Sequence, residues 1–478
     1  MDTKHRERQV NEETHATPRW RRDGSRRWRV ASAVSLAIAA VLTLRLWGLD
    51  VASRVLVGGP SCAPDQFELY EHLGNLSPFF VPPNTPGSLA QGTPPGCTVS
   101  KLFLVHRHGS RHPHPDELAV IEELERHIHK NRDLFSNPRA PIPDGWSFLG
   151  EGWNNTFTSD ILTAPGRQQL FDHGVALRLE YPELYTETEV LAADEDRVVE
   201  SARWFMYGYY GRDSAATLVP VPEDNETVSW LTPFETCDAW DSGFGRAPVN
   251  QWGVVYLPPI AARVNGLLAA AFPGANFNAT HVHGMLYACA YGTAVSGVGS
   301  SPWCPVFAPD EILHNEYEYD LRMRGFAGYG LPGDMGPLLG SLLVGNATAF
   351  LRRDHGPPLA LAFGHDKTIA LGIAALGLAT DADYPITGPV NPARAWRSAE
   401  QTPFAAYMLW KRLECGARGE ESRIQLVLNG ANFGLGPAGC ASDEYGSCAL
   451  EDFLAADRVI AALKITHGDA RWKASCKT

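Results

Sequence analysis

Val105-His106-Arg107-His108-Gly109-Ser110-Arg111-His112-Pro113 follows a short apolar run, Leu102 to Val105, and sets two arginines and a histidine within five residues. The run has the length and composition of a buried strand, which needs no charge at its end. Arg107 and Arg111 are permanent cations whose planar N–H groups match phosphate oxygens. An imidazole held between them, that of His108, can attack phosphorus. Pro115 and Asp116 then open a helical pattern with Leu118, Ile121, Leu124 and Ile128 on one face, so the loop lies near a positive helix end. Strand, anion loop and helix in that order read as a phosphate trap with a nucleophile inside it. The plain alternative is a surface turn rich in solvated charge.

Arg107-His108-Gly109-x-Arg111-x-Pro113 resembles the signature of the histidine acid phosphatases, the clade that contains the fungal phytases. From average residue usage, a chance match of its five fixed positions in a chain this long is on the order of one in a thousand. Two further strand-turn-helix units carry the resemblance. Val190 to Ala193 is a short apolar run, Asp194-Glu195-Asp196 can cap, and Val198, Ala202 and Phe205 align at helical spacing. Alone, Arg197 after three acids reads as a surface ion pair; the Arg197-Val-Val-Glu-Ser201 segment resembles the family's third phosphate-binding arginine. Leu359 to Phe363 reads as another buried strand, followed by the turn Gly364-His365-Asp366 and a helix from Lys367 to Ala375. The family has a His-Asp pair there. Asn75-Leu-Ser-Pro-Phe-Phe80, Leu162-Thr-Ala-Pro-Gly166 and Gly328 to Gly336 are similar to further family elements, so the resemblance runs from about residue 62 to 478. It implies an open mixed α/β sheet flanked by helices, like that of phosphoglycerate mutase, with a smaller helical domain over the active-site cleft. Ligands of open α/β sheets bind outside the strands' carboxyl ends, so the three units can converge on one phosphate.

The chain has 478 residues, enough for two or three domains and a large core. A polar, arginine-rich leader over residues 1–29 precedes an apolar run from Val30 to Leu44 that continues to Leu49 past Arg45. That run is long enough to span a bilayer, and the preceding arginines predict a cytoplasmic N-terminus. The alternative is a cleaved signal peptide. Residues 1–50 hold 10 basic and 6 acidic side chains; the remainder holds 31 and 48, a net charge of −17, which argues against a nucleic-acid partner. The expected organisation is a cytoplasmic tail over 1–29, a transmembrane signal anchor over 30–49, and a Pro- and Gly-rich stalk over 50–96. A first part of the α/β domain covers 97–255, a mainly helical domain 256–350, and a second α/β part 351–478. No repeat period appears.

Nine cysteines and five Asn-x-Ser/Thr sites, at Asn75, Asn154, Asn225, Asn278 and Asn346, agree with an oxidising compartment and glycosylation. Connectivity cannot be read from spacing. The resemblance implies the pairs Cys97–Cys415, Cys237–Cys476, Cys289–Cys304 and Cys440–Cys448, and leaves Cys62 over.

Hydrolysis of a phosphate ester needs its charge offset and its leaving oxygen protonated. The resemblance implies that Arg107, Arg111, Arg197 and His365 bind the phosphoryl group and that His108 attacks to give a phosphohistidine. Asp366 protonates the leaving oxygen and then serves as base for water. Three arginines disfavour the His108 imidazolium, and an acid optimum follows from an aspartic acid donor. The scheme requires neither metal nor cofactor. His106, His108, His112 and His114, with His281 and His283, form His-x-His pairs that suggest a metallohydrolase, but they lack a matching carboxylate cluster. A membrane-tethered binding ectodomain on an inactive phosphatase fold is a further reading. The substrate class is a small phosphate ester, with inositol phosphates among the candidates. The segment after the loop carries Asp116, Glu117, Glu122, Glu123 and Glu125 where typical phytases place lysines at the cleft rim, so a general acid phosphatase is expected over a dedicated phytase.

Overall fold

Leu102 to Val105 lies within an eleven-residue strand, β1 (Cys97–Arg107), that is buried from Lys101 to its end. The structure, a computed structural model, describes residues 67–83 and 89–477. The tail, the anchor and Cys62 lie outside those residues. Period-two alternation sends Phe103 and Val105 to one face of β1 and Leu102 and Leu104 to the other, and each face meets its own apolar cluster. Burial on both sides is why the run shows no polar alternation.

Among the described residues the remaining strands are β2 (Glu189–Ala193), β3 (Thr217–Val221), β4 (Leu359–Gly364), β5 (Tyr407–Cys415), β6 (Glu421–Leu428), β7 (Ala431–Phe433) and β8 (Cys448–Ala449). They form one mixed sheet in the order β3-β2-β4-β1-β5-β6-β7, with β8 paired to β6. The β3-β2-β4-β1 half is parallel, and from β5 onward each pairing is antiparallel. Parallel neighbours need crossovers, and helices supply them. These include α1 (Pro115–Lys130), α2 (Ala164–Glu180), α3 (Asp196–Tyr209), α4 (Arg246–Leu268), α5 (Ala279–Ser296), α6 (Pro309–Ala327), α7 (Met335–Leu351) and α8 (Asp366–Ala375).

Leu170 of α2 and Val198, Ala202 and Phe205 of α3 join Leu102 and Leu104 on one face of the sheet. Leu339 and Leu343 of α7 and Ile369 and Ile373 of α8 cover Phe103 and Val105 on the other. Full burial of each such side chain contributes about 1.5–3 kcal/mol. Helix α4 packs against both α5 and α6, and α5 also lies along α1. Helix α7 falls inside the span expected for the helical part, yet its apolar face belongs to the sheet core.

Four disulfides are present among the described residues: Cys97–Cys415, Cys237–Cys476, Cys289–Cys304 and Cys440–Cys448. The first joins directly opposed residues of β1 and β5. Among the described residues no helix is long and apolar enough to cross a membrane.

Candidate active site

Arg107 pairs in register with Gly364, and Phe363 with Ala192, so the carboxyl ends of β1, β4 and β2 lie side by side. The loops that leave them, at 108–113, 365–366 and 194–196, therefore open onto one place. Backbone bonds fix the first loop: Arg107 N donates to Ala406 O (2.7 Å), His108 N to Gly364 O (3.2 Å), and Ala405 N to His108 O (3.0 Å). Gly109 is required by close approach. A Cβ there would stand 2.4 Å from Gly166 O, and one on Gly166 would stand 2.2 Å from Ser110 O. Thr163, the N-cap of α2, accepts from Gly166 N at its side chain, and its backbone N–H donates to Ser110 O at 2.9 Å, locking the helix start to the 108–113 loop.

The structure brings His108, Arg107, Arg111, Arg197, His365 and Asp366 together. His108 is buried, and its Nδ1 lies 2.9 Å from Gly109 O. A carbonyl only accepts, so Nδ1 carries the proton and Nε2 keeps its lone pair. Burial, then Arg107, Arg197 and Arg111, hold the imidazole's pKa well below its ordinary value, so the ring stays neutral. Burial lowers Arg107 to about 10, still charged in acid and neutral solution. Its Nη1 donates to Thr402 O (2.7 Å) and to Asn75 O, and its Nη2 stands 2.9 Å from Asp366 Oδ2. Arg197 pairs with Glu195 and lies 3.7 Å from Asp160. Among the described residues the Nε atoms of Arg107, Arg111 and Arg197 are buried without a hydrogen-bond partner.

Asp366 Oδ2 accepts from Asn75 Nδ2 (2.9 Å) and Oδ1 from Lys367 N (2.8 Å). Burial alone would raise its pKa, but Arg107 and the Asn75 amide outweigh it and hold the carboxyl well below the usual range. His365 donates from Nε2 to Glu223 Oε1 at 2.5 Å. Burial raises the Glu223 carboxyl less than His365, Lys367 and Arg197 lower it, so it remains ionised.

Glu223, Thr402 and Tyr291 join the site without a sequence signal, because each reaches it across more than a hundred residues of chain. Asn75 carried a signal read in another sense. Its amide, expected to bear a glycan, is engaged with Asp366 at the site, a poor position for a sugar. Asn154 and Asn278 are exposed, and Asn225 and Asn346 are partly so.

The paired histidines go separate ways. His106 turns inward to His173 (3.0 Å), His112 accepts from Thr158 N, His114 meets Asp160 (2.6 Å), His281 caps α5 and His283 meets Glu318 (2.8 Å). Among the described residues one set of three possible metal donors lies within 4.8 Å, namely Glu195, Glu223 and His365. Arg197 already takes Glu195, and His365 already donates to Glu223.

A cavity of about 680 Å³ adjoins the site, its lining including Asp116, Trp240, Asp241, Arg246, Arg322 and Lys367. Lys367 Nζ sits 3.6 Å over the Phe234 ring and 3.6 Å from Glu235. Glu122, Glu123 and Glu125 do not line it. They project from later turns of α1, where Glu125 caps Asn155 N and Glu123 pairs with Arg126. The acidic rim read from the sequence thus reduces, on this helix, to Asp116.

Residues 98–429 match the family model of the histidine phosphatase superfamily (branch 2). The chain is 28% identical to the thiamine-repressible acid phosphatase pho4 of Schizosaccharomyces pombe, over 91% of this chain and 97% of that one. It is 26% identical to phytase A of Arthroderma benhamiae, over 88% and 95%. Among solved structures, the phytase from D. castellii superposes with a TM-score of 0.74 at 22% identity, covering 88% of this chain and 90% of that one. That likeness is one of fold.

Proposed function

This chain belongs to the histidine phosphatase superfamily (branch 2), and we propose from that premise that it is an acid phosphatase hydrolysing phosphate monoesters through a phosphohistidine. The observation that carries the reading is a buried, neutral His108 with Nε2 unprotonated beside three arginines whose Nε donors lack partners. Arg107, Arg111, Arg197 and His365 bind the phosphoryl oxygens. His108 Nε2 forms the N–P bond as the P–O bond to the alcohol breaks, and the proton of Asp366 goes to the departing oxygen. Water then attacks phosphorus, the N–P bond breaks, and Asp366 accepts the water's proton.

In the free enzyme Arg107 and the Asn75 amide hold Asp366 ionised, so the proton it donates is taken up after the ester binds, and the ester itself can bring it. A phosphate monoester titrates near pH 6. Below that it arrives as the monoanion, and once Arg107 turns from Asp366 to the phosphate, the carboxylate can take that proton. The acid optimum then comes from the substrate's protonation as much as from the aspartate.

Phytate is the second reading, favoured by Arg246, Arg322 and Lys367 in the adjoining cavity. Asp116, Asp238 and Asp241 offset those cations, which keeps small monoesters first. The disulfides fit an extracytoplasmic location. The run over residues 30–49, as a single-pass anchor or a cleaved leader, would bring the domain there.

A panel of aryl phosphate, alkyl phosphate and phytate at pH 5 tests the whole reading. His108→Ala should abolish turnover of all three. Asp366→Ala should cost an alkyl ester about 10²–10⁴-fold and spare a phenolic leaving group most of that loss. Equal losses would sink the acid assignment, and a clear wild-type preference for phytate in kcat/KM would replace the first reading by the second.

A further inference from the structure

Arg111 is held from the helical side of the cleft. Tyr291, on α5, is fully buried, and its hydroxyl accepts from Arg111 Nη1 at 3.3 Å while donating to Glu117 Oε2. Glu117, in the first turn of α1, also accepts from His114 N at 2.9 Å, so its carboxylate is fixed in place. Arg111 Nη1 stands 3.6 Å from that carboxylate and 2.9 Å from His112 O, to which it donates.

A phenol can donate and accept at once, so it can stand between a guanidinium and a carboxylate and satisfy both. We propose that Tyr291 is a positioning residue for Arg111, its hydroxyl acting as a spacer that keeps the guanidinium turned toward the phosphate instead of closing on Glu117. Without the hydroxyl, Glu117 loses a donor and Arg111 an acceptor. Attraction between unit charges at this separation is several times stronger near protein than in bulk water, and arginine and carboxylate readily pair in two parallel bonds. A guanidinium committed that way presents fewer N–H groups to a phosphoryl oxygen. Phosphate is a ligand of Arg111 in both ground and transition state, so the loss should fall on binding more than on turnover.

The inference rests on the reading of Arg111 as a phosphate ligand. The test uses the full chain, an aryl phosphate as substrate and inorganic phosphate as inhibitor. Tyr291→Phe should raise KM and the phosphate Ki together by about tenfold, with kcat within about threefold of wild type. Adding Glu117→Gln, which removes the competing charge and can still accept from His114 N, should recover most of both. A purely structural tyrosine predicts no such rescue. Unchanged KM and Ki in Tyr291→Phe, or a double variant as weak as the single one, would overturn the spacer. Glu117→Gln alone supplies the answer if Tyr291→Phe does not fold: it must bind phosphate at least as tightly as wild type, and weaker binding overturns the proposal. Wild-type protein that neither hydrolyses esters nor binds phosphate would overturn the phosphatase reading itself, a different outcome from any of these.

Discussion

His106 and His108 stand two positions apart, and the end of β1 falls between them. His106 continues the even-numbered face of the strand below Leu102 and Leu104, stacked on Phe363 and bonded to His173; His108 has left the strand and faces Arg107, Arg197 and Arg111. Burial and the neighbouring His173 hold His106 well below its ordinary value, and burial holds His173 at about 4. Both rings are neutral in the fold, whereas in the unfolded chain they protonate near 6.5. Their contribution is therefore complete above pH 6.5 and is lost as pH falls toward 4, because the unfolded state then binds more protons. Depressed carboxylates such as Asp366 lose their contribution only below the ordinary carboxylate range, so the two effects separate on the pH axis. The melting temperature should decline between pH 6.5 and 4, and His173→Gln should flatten that decline; an unaltered slope would refute the assignment. The sequence showed these histidines as His-x-His repeats. It could not show that one ring is a packed core group while its neighbour, the proposed nucleophile, stands among the arginines, since that depends on where the strand stops.

The elements were more legible than the contacts between them. Leu102–Val105, Val190–Ala193 and Leu359–Phe363 are apolar runs short enough to be strands, each followed by a helical period, and all three are strands followed by helices. Arg107, His108, Arg111, Arg197, His365 and Asp366 come together because those strands are adjacent and parallel. Glu223 and Asn75 could not be found that way. They meet His365 and Asp366 across 142 and 291 residues, and no local period reports such a distance. Gly166 lies between these cases, visible as a glycine in a helix start but intelligible only beside the Ser110 carbonyl. Gly166→Ala should push α2 from the catalytic loop, lowering stability by about 1–3 kcal/mol. Turnover should fall further than stability requires, and an alanine variant with wild-type melting and kcat would mean that the close approach is dispensable.

The described residues are built on one sheet whose middle strand joins a parallel half bearing the site to an antiparallel half bearing most of the late sequence. Cys97–Cys415 fastens that junction at the end of β1 farthest from the catalytic loop. Replacing both cysteines by serine should cost about 2–5 kcal/mol, measured by denaturant unfolding, and leave kcat near wild type. A large loss of kcat in still-folded protein would mean that the disulfide sets the site's geometry. The position of β1 has a consequence for biosynthesis. Among the described residues it is the first strand to be translated, yet its neighbours β4 and β5 are encoded roughly 250 to 300 residues later. At about 5–20 residues per second it waits on the order of 10–50 s for β4. Under the proposed mechanism His108 thus leaves the ribosome early and stays without Asp366 until about 250 further residues have been added, so an enzyme that cleaves phosphate esters is inert over that stretch of its own synthesis.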